Sequence, residues 1–283
     1  MDKFEILVDT TQDFTFEIAE EFNLRLIPYY LELDDKNLQD LIEIDKDTFY
    51  KNIDSYDKLS TGVPPISDVL DEIEKIKKKG INKAIAITSS SDITGMYNVY
   101  KSVKEMVEDF DLEIIDTNTV GSAAGLISIL ASRYRQDRKS FEETVDFIKK
   151  IKDKSSIYAV FRTLDNLVKG GRISPLKAAI GGFLNIYPIL TIKNRKVDIL
   201  EKARGQNKSL DKLSQIVKDE IKDSKDYCLA IFQGDNKEEF LALKDKLKDQ
   251  IENSGLYIET ILTPVLGVHA GSKVVGVSVV RLD

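Results

Sequence analysis

The chain has no tryptophan, and among its 283 residues there are only one cysteine, one histidine, three methionines and six prolines. A lone Cys228 excludes an intramolecular disulfide framework, and one imidazole beside one thiol leaves too few donors for a nitrogen- and sulfur-ligated zinc site. No stretch reaches the roughly 20 consecutive apolar residues of a membrane span. The opening Met1-Asp2-Lys3-Phe4-Glu5 lacks the basic end and long apolar stretch of a secretory signal, so a soluble, cytoplasmic protein is expected. There is no excess of positive charge either. The 41 basic and 48 acidic side chains give a net charge of −7 and are interspersed, which argues against a general nucleic-acid footprint. The chain also lacks the Walker spacing and the spaced glycines of a dinucleotide fold, so nucleotide binding is not supported.

What is present is apolar material for sizeable packed cores, 42% of the residues, in a length that suits one large or two smaller domains. Short apolar runs at Ile6–Val8, Leu24–Ile27, Ala84–Ile87 and Leu112–Ile115 read as strands that alternate with helical patterns. That alternation is the rhythm of an α/β domain with a parallel sheet. Ser67 is placed to cap a helix carrying Val69, Leu70, Ile73 and Ile76, ending at a lysine run and Gly80. A second helix is expected from about Gly95 to Glu108, and a third, rich in small residues, from Gly121-Ser122-Ala123-Ala124-Gly125.

From about Ser156 the pattern changes. Strands are expected at Ile157–Val160, Ile189–Ile192, Cys228–Phe232, Tyr257–Thr260 and Val274–Val280, with amphipathic helices at about Leu210–Ile221 and Lys237–Ile251. A hairpin at Lys193-Asn194-Arg195-Lys196 would return Val197–Leu200 beside Ile189–Ile192. The expected organisation is an N-terminal parallel-sheet α/β domain over residues 1–155 and a C-terminal α+β domain with a mixed or antiparallel sheet over 156–283. The last strand is free to return to either sheet.

Several segments could carry chemistry. The loop Leu59–Asp68 brings Ser60, Thr61 and Gly62 to a double-proline turn before a helix, which serves either ordinary capping or an anionic head group at a helix N-terminus. Thr88-Ser89-Ser90-Ser91-Asp92-Ile93-Thr94-Gly95 sets five hydroxyls between a strand and a helix, a second candidate anion site. Asp9 to Asp13 and Asp116 to Thr119 end strands, where carboxylates suit a metal or acid–base chemistry but more commonly make turns and caps. Gly170-Gly171-Arg172 ends one helical segment, with a second beginning at Ser174-Pro175, and leaves Arg172 on a tight turn, either solvated or paired with an anion. His269 lies in a flexible small-residue turn, Gly267–Ser272, suited to proton transfer or anion binding. Cys228 reads as a buried small hydrophobe.

Together these segments resemble the DegV family of bacterial proteins over nearly the whole chain. The residues that carry the resemblance are Ile6–Thr11, Thr61–Asp68, Ser91–Tyr97, Ile115–Thr117, Thr163–Ile173 with its Gly-Gly-Arg-Ile run, Leu184–Leu190, Ala203-Arg204-Gly205 and His269-Ala270-Gly271. The resemblance implies a two-domain protein that encloses one long-chain fatty acid in an apolar tunnel between the domains. It also implies a role as the non-catalytic, fatty-acid-binding subunit of bacterial fatty acid kinase. A separate ATP-binding kinase subunit would then phosphorylate the carboxylate to an acyl phosphate for phospholipid synthesis. By the same resemblance Thr61, Gly62, Ser91, Thr94, Gly95 and His269 hold the carboxyl group, and Arg172 lies where the kinase docks; a protonated His269 would lower the cost of burying an ionised carboxylate. No metal or cofactor is implied beyond the lipid.

The chain departs from the family pattern at Gly62, Val63 and Pro65, where Ser, Gln and Ser are common, at Asp92, where Gly is common, at Thr94, where Ser is usual, and at Ser272-Lys273, where Pro-Gly often follows. Asp92 would have to point away from a bound anion. Two other classes stay open: a lipid-binding regulatory or interaction module with no kinase role, and a small-metabolite enzyme using Asp9, Asp116 or His269.

Overall fold

The computed structural model describes residues 3–173 and 185–283. The expected helix onset at Ser174-Pro175 and the Leu184 end of the Leu184–Leu190 motif lie outside the described residues.

In chain order the strands are β1 Glu5–Asp9, β2 Arg25–Ile27, β3 Tyr30–Leu33, β4 Lys36–Gln39, β5 Leu59–Gly62, β6 Lys83–Thr88, β7 Asp111–Asp116, β8 Ser155–Phe161, β9 Ile186–Lys193, β10 Lys196–Arg204, β11 Tyr227–Gln233, β12 Leu256–Ile261 and β13 Val274–Arg281. Among the described residues they form three sheets. The first, in the order β2-β1-β6-β7, is parallel throughout. The second, β10-β9-β8-β13-β11-β12, is antiparallel except for the β11–β12 pair. The third, β4-β3-β5, is a small antiparallel sheet.

Period-two burial builds the parallel sheet. Leu7, Ala84, Ala86 and Leu112 face Val69, Ile73 and Ile76 of the helix Ile66–Lys78 and Val99, Tyr100 and Val103 of the helix Met96–Met106. On the other face Ile6, Val8, Ile85 and Ile87 meet the helices Ser122–Gln136 and Phe141–Ile151. Residues 122–132 of the first of these are all buried, because that helix also meets Cys228 and Ala230 of β11 and Val280 of β13. Small residues are required where a helix lies between two sheets. A Cβ on Gly125 would sit 2.5 Å from the Gln12 carbonyl oxygen.

The last strand enters the six-stranded sheet, between β8 and β11. The far face of that sheet is covered by the helix Gln206–Ile221 through Leu210, Leu213 and Val217, and by Phe240 and Leu243.

Several expectations are corrected. The Leu59–Gly62 part of the supposed loop is a strand that pairs Thr61 with Leu31. Pro65 occupies the N-cap of the following helix and Ser67 lies within its first turn, so Ser67 is not the cap. The helix expected over Lys237–Ile251 is two, Lys237–Lys246 and Lys248–Glu252, interrupted at the fully buried Leu247. His269 is carried by a helix, Pro264–Ala270, and not by a flexible turn. Proline at its first position suits a helix start, and Gly271 with φ 77° ends it. Among the described residues no helix is long and apolar enough to cross a membrane.

Candidate functional site

The helix Pro264–Ala270 enters the N-terminal half of the chain and packs near β5, and this sets the site. Thr61 Oγ1 and His269 Nε2 are 2.8 Å apart, the tautomer deciding which donates, while His269 Nδ1 is buried without a partner. Burial first, and then the positive charge of Arg172, pushes the imidazole down to about 3. With only burial and Arg172 acting on it, the ring is neutral at physiological pH. A histidine held neutral in this way weakens the fold as pH falls below its ordinary 6.5 toward that value, because the unfolded chain binds the proton first.

Glycine at 170 is required by close approach, since a Cβ there would lie 2.3 Å from His269 Nδ1. Gly171 supplies the left-handed turn, φ 73°. The turn brings Arg172 back so that its guanidinium donates to the carbonyls of Gly170, at 2.6 Å, and Ile93, at 3.3 Å. The Gly-Gly-Arg run thus makes room for the imidazole and places a cation beside it.

These groups line a cavity of about 210 Å³ that Thr61, Thr94, Gly95, Arg172 and His269 share with Thr11 and Tyr29. Val120, Leu266 and Ala270 also line a second cavity of about 90 Å³, walled by Ile157, Ala159 and Phe161 of β8, Leu190 of β9, Phe232 and Val274. The second cavity is apolar. Residues i, i+2 and i+4 of β8 share one sheet face, and that face is its wall. The first cavity, mostly apolar in its lining, forms the polar end in that it carries the hydrogen-bonding groups, and the two cavities share three lining side chains. A wide groove of about 630 Å³, lined by Arg172, Asp92, Lys193 and Lys196, opens beside the polar end.

A scan against family models matches residues 3–282 to the model described as "Uncharacterised protein, DegV family". The chain belongs to the DegV family. Two DegV domain-containing proteins of Clostridium acetobutylicum are 31% and 32% identical to it, each alignment covering 98% of both chains. Among solved structures, DegV, a fatty acid binding protein from Bacillus subtilis, superposes with a TM-score of 0.90 at 22% identity and 100% coverage of both chains. A stearic acid-binding protein from Eubacterium ventriosum gives 0.88 at 21%, covering 99% of this chain and 98% of the other. At these identities the structural matches establish a shared fold, an α/β protein with a parallel N-terminal sheet and a mixed C-terminal sheet.

Within this DegV fold the residues singled out from sequence divide. Thr61, Thr94, Gly95, His269 and Arg172 come together at the cavity. Gly62 lies in β5 opposite Tyr30 and is not among the lining residues. Ser91 is turned away, its hydroxyl accepting from the Arg195 guanidinium and its amide donating to Asp116 Oδ2 at 3.1 Å. Asp92 points toward Arg195 and Lys196, at 3.6 and 3.9 Å, which removes it from the anion site as expected.

Of the five hydroxyls in that loop, four serve the fold. Thr88 donates to the Ile115 carbonyl, Ser89 pairs with Thr11, Ser90 donates to the Arg195 carbonyl, and Ser91 receives the Arg195 guanidinium. Only Thr94 is left in the cavity with a buried, unpaired hydroxyl.

Asp9 accepts from the Thr11 amide at 2.9 Å, the turn role expected for that segment, and burial raises its carboxyl to about 6. Among the described residues no group of three or more His, Cys, Asp or Glu side chains is arranged to hold a metal. Sequence reasoning missed Tyr29, named Thr11 only as part of the Asp9–Asp13 segment, and expected an apolar tunnel without naming its lining residues. Strand ends and alternating apolar residues occur throughout the chain, so no local signal marked these.

Proposed function

We propose that the chain folds as two domains, residues 1–155 and 156–283, and binds one long-chain fatty acid between them. The carboxylate would lie against Thr61, Thr94, Gly95 and His269, and the acyl tail in the apolar cavity. The protein then presents the carboxylate to a separate ATP-dependent fatty acid kinase subunit in the cytoplasm, which yields acyl phosphate for phospholipid synthesis. Catalysis resides on that subunit, and Arg172, beside the open groove, is where it docks. The observation that carries this reading is that the cavity holding the hydroxyls and the imidazole adjoins the apolar one, Val120, Leu266 and Ala270 lining both. Relatives of the same fold described as binding fatty acids, stearic acid in one case, support it.

The division between tail and head follows from magnitudes. Each buried methylene contributes roughly 0.8 kcal/mol, so affinity grows with the length of tail that the apolar cavity admits, before ordering costs. A carboxylate is costly to bury unpaired, so hydroxyls and a neutral imidazole set orientation more than affinity.

Native mass spectrometry of the purified chain, then denaturation and identification of released small molecules, tests the binding. A stoichiometric fatty acid is expected, and an apo mass that takes up no added fatty acid refutes the reading. Adding a fatty acid kinase catalytic subunit and ATP tests the second step: acyl phosphate should form with both proteins and not with this chain alone, and lipid retention without acyl phosphate would favour a regulatory module.

A further inference from the structure

The head cavity holds more unpaired polar atoms than the Thr61–His269 pair explains. Tyr29 is only 4% exposed, lines the cavity, and carries a phenol oxygen that is buried without a hydrogen-bond partner. Buried hydroxyls in folded proteins are nearly always paired, so an unpaired one facing a cavity is a donor with its acceptor missing. Thr94 Oγ1, on the same cavity, also lacks a well-formed hydrogen bond and lies close enough to the phenol to act on it.

The residue is held at both its backbone and its ring. The Tyr29 amide donates to Thr10 Oγ1 at 3.2 Å, and the Tyr29 carbonyl accepts from the Asp40 amide at 2.8 Å. Its ring is packed in the core formed by Leu7, Ile27, Val69, Ile73 and Met96. Burial above all, and then the Asp9 carboxyl, raises the phenol well above its ordinary value, against smaller opposing pulls from the Thr94 hydroxyl, the Met96 amide and Arg172. It therefore keeps its proton and acts as a donor throughout the physiological range. A carboxylate is an acceptor only, with two oxygens to satisfy.

We propose that Tyr29 is a further head-group ligand: its hydroxyl and that of Thr94 donate to one carboxylate oxygen while the Thr61–His269 pair serves the other, which makes the site selective for the free acid over its ester. This rests on the fatty-acid reading of the same cavity. The dependence on charge follows because a hydrogen bond to an ionised acceptor is roughly twice as strong as one to a neutral carbonyl.

The test compares wild type with Tyr29→Phe by titration calorimetry, using a long-chain fatty acid and its methyl ester, together with the melting temperature of each lipid-free protein. The variant should bind the acid about tenfold to a hundredfold more weakly and the ester no more than about threefold more weakly. Lipid-free, it should melt at the same temperature or higher, since an unpaired buried hydroxyl has been removed. Equal losses for acid and ester, no loss for the acid, or a lipid-free variant that melts lower or does not fold would overturn the proposal. A wild-type protein that binds neither ligand would overturn the fatty-acid reading itself, which separates the two failures.

Discussion

The polar cavity and the apolar cavity are built by different parts of the chain. Residues before 156 supply Thr11, Tyr29, Thr61, Thr94 and Gly95 to the polar one, and the C-terminal half adds Arg172 and His269. The apolar cavity takes only Val120 and Gly121 from the first half, the rest coming from the six-stranded sheet and the helix Pro264–Ala270 with its approach. A parallel sheet collects loops at the carboxyl ends of its strands, where short polar side chains and free amides accumulate. A sheet face offers alternating side chains with its backbone already hydrogen-bonded, and so makes a dry wall. The first half therefore supplies most of the hydrogen-bonding side chains and the second most of the apolar wall.

That difference can be broken in order of size. Gly170→Ala drives a methyl into His269 and dismantles its pair with Thr61. Calorimetry should give roughly a hundredfold weaker binding of a fatty acid and little change for its methyl ester, and parallel losses would show that the pair does not read the head group. Ala159→Leu projects from β8 into the apolar cavity. By excluding about three methylenes at roughly 0.8 kcal/mol each, it should weaken the longest acid and its ester alike by roughly fiftyfold, with shorter chains spared; a loss confined to the acid would refute the division. Thr61→Val keeps the shape and removes one hydroxyl, for which about tenfold weaker acid binding is expected, again without effect on the ester.

The smallest effect on binding is expected from Asp40, which burial raises from 3.8 to about 7. The folded protein keeps this proton to higher pH than the unfolded chain does, so the stability it contributes is present in acid and is lost as pH rises from about 4 through about 7. Asp40→Asn should flatten that slope and raise the melting temperature at pH 8 by several degrees, with fatty acid affinity altered by less than about twofold. A melting profile that keeps its slope would place the titration elsewhere.

Much of this architecture was legible in the residues. The apolar runs at Ile6–Val8 and Ala84–Ile87, the small-residue helix from Ser122, and the hairpin at Asn194-Arg195 all lie where periodicity and turn chemistry put them. The small sheet β4-β3-β5 was not legible, because its strands of four residues are too short to show a period and β5 carries Ser60, Thr61 and Gly62, which read as loop. The site was half legible. Hydroxyls at strand ends mark a polar cluster, but Ser91 and Thr94 lie three residues apart in the same loop with the same chemistry. Only the position of the β9–β10 hairpin decides that Ser91 is taken by Arg195 and Thr94 is not.

By itself the sequence determined the local elements, because helical and strand periods, caps and turns are properties of neighbouring residues. It also carried a motif such as Gly-Gly-Arg without its reason. Only the tertiary structure decided that Gly170 clears space for an imidazole 99 residues further on, that this imidazole is neutral, and that a phenol from the β2–β3 connection reaches the same cavity. Desolvation and close approach depend on atoms distant in the chain, and those are set only when the two sheets close on the helix that both of them bury.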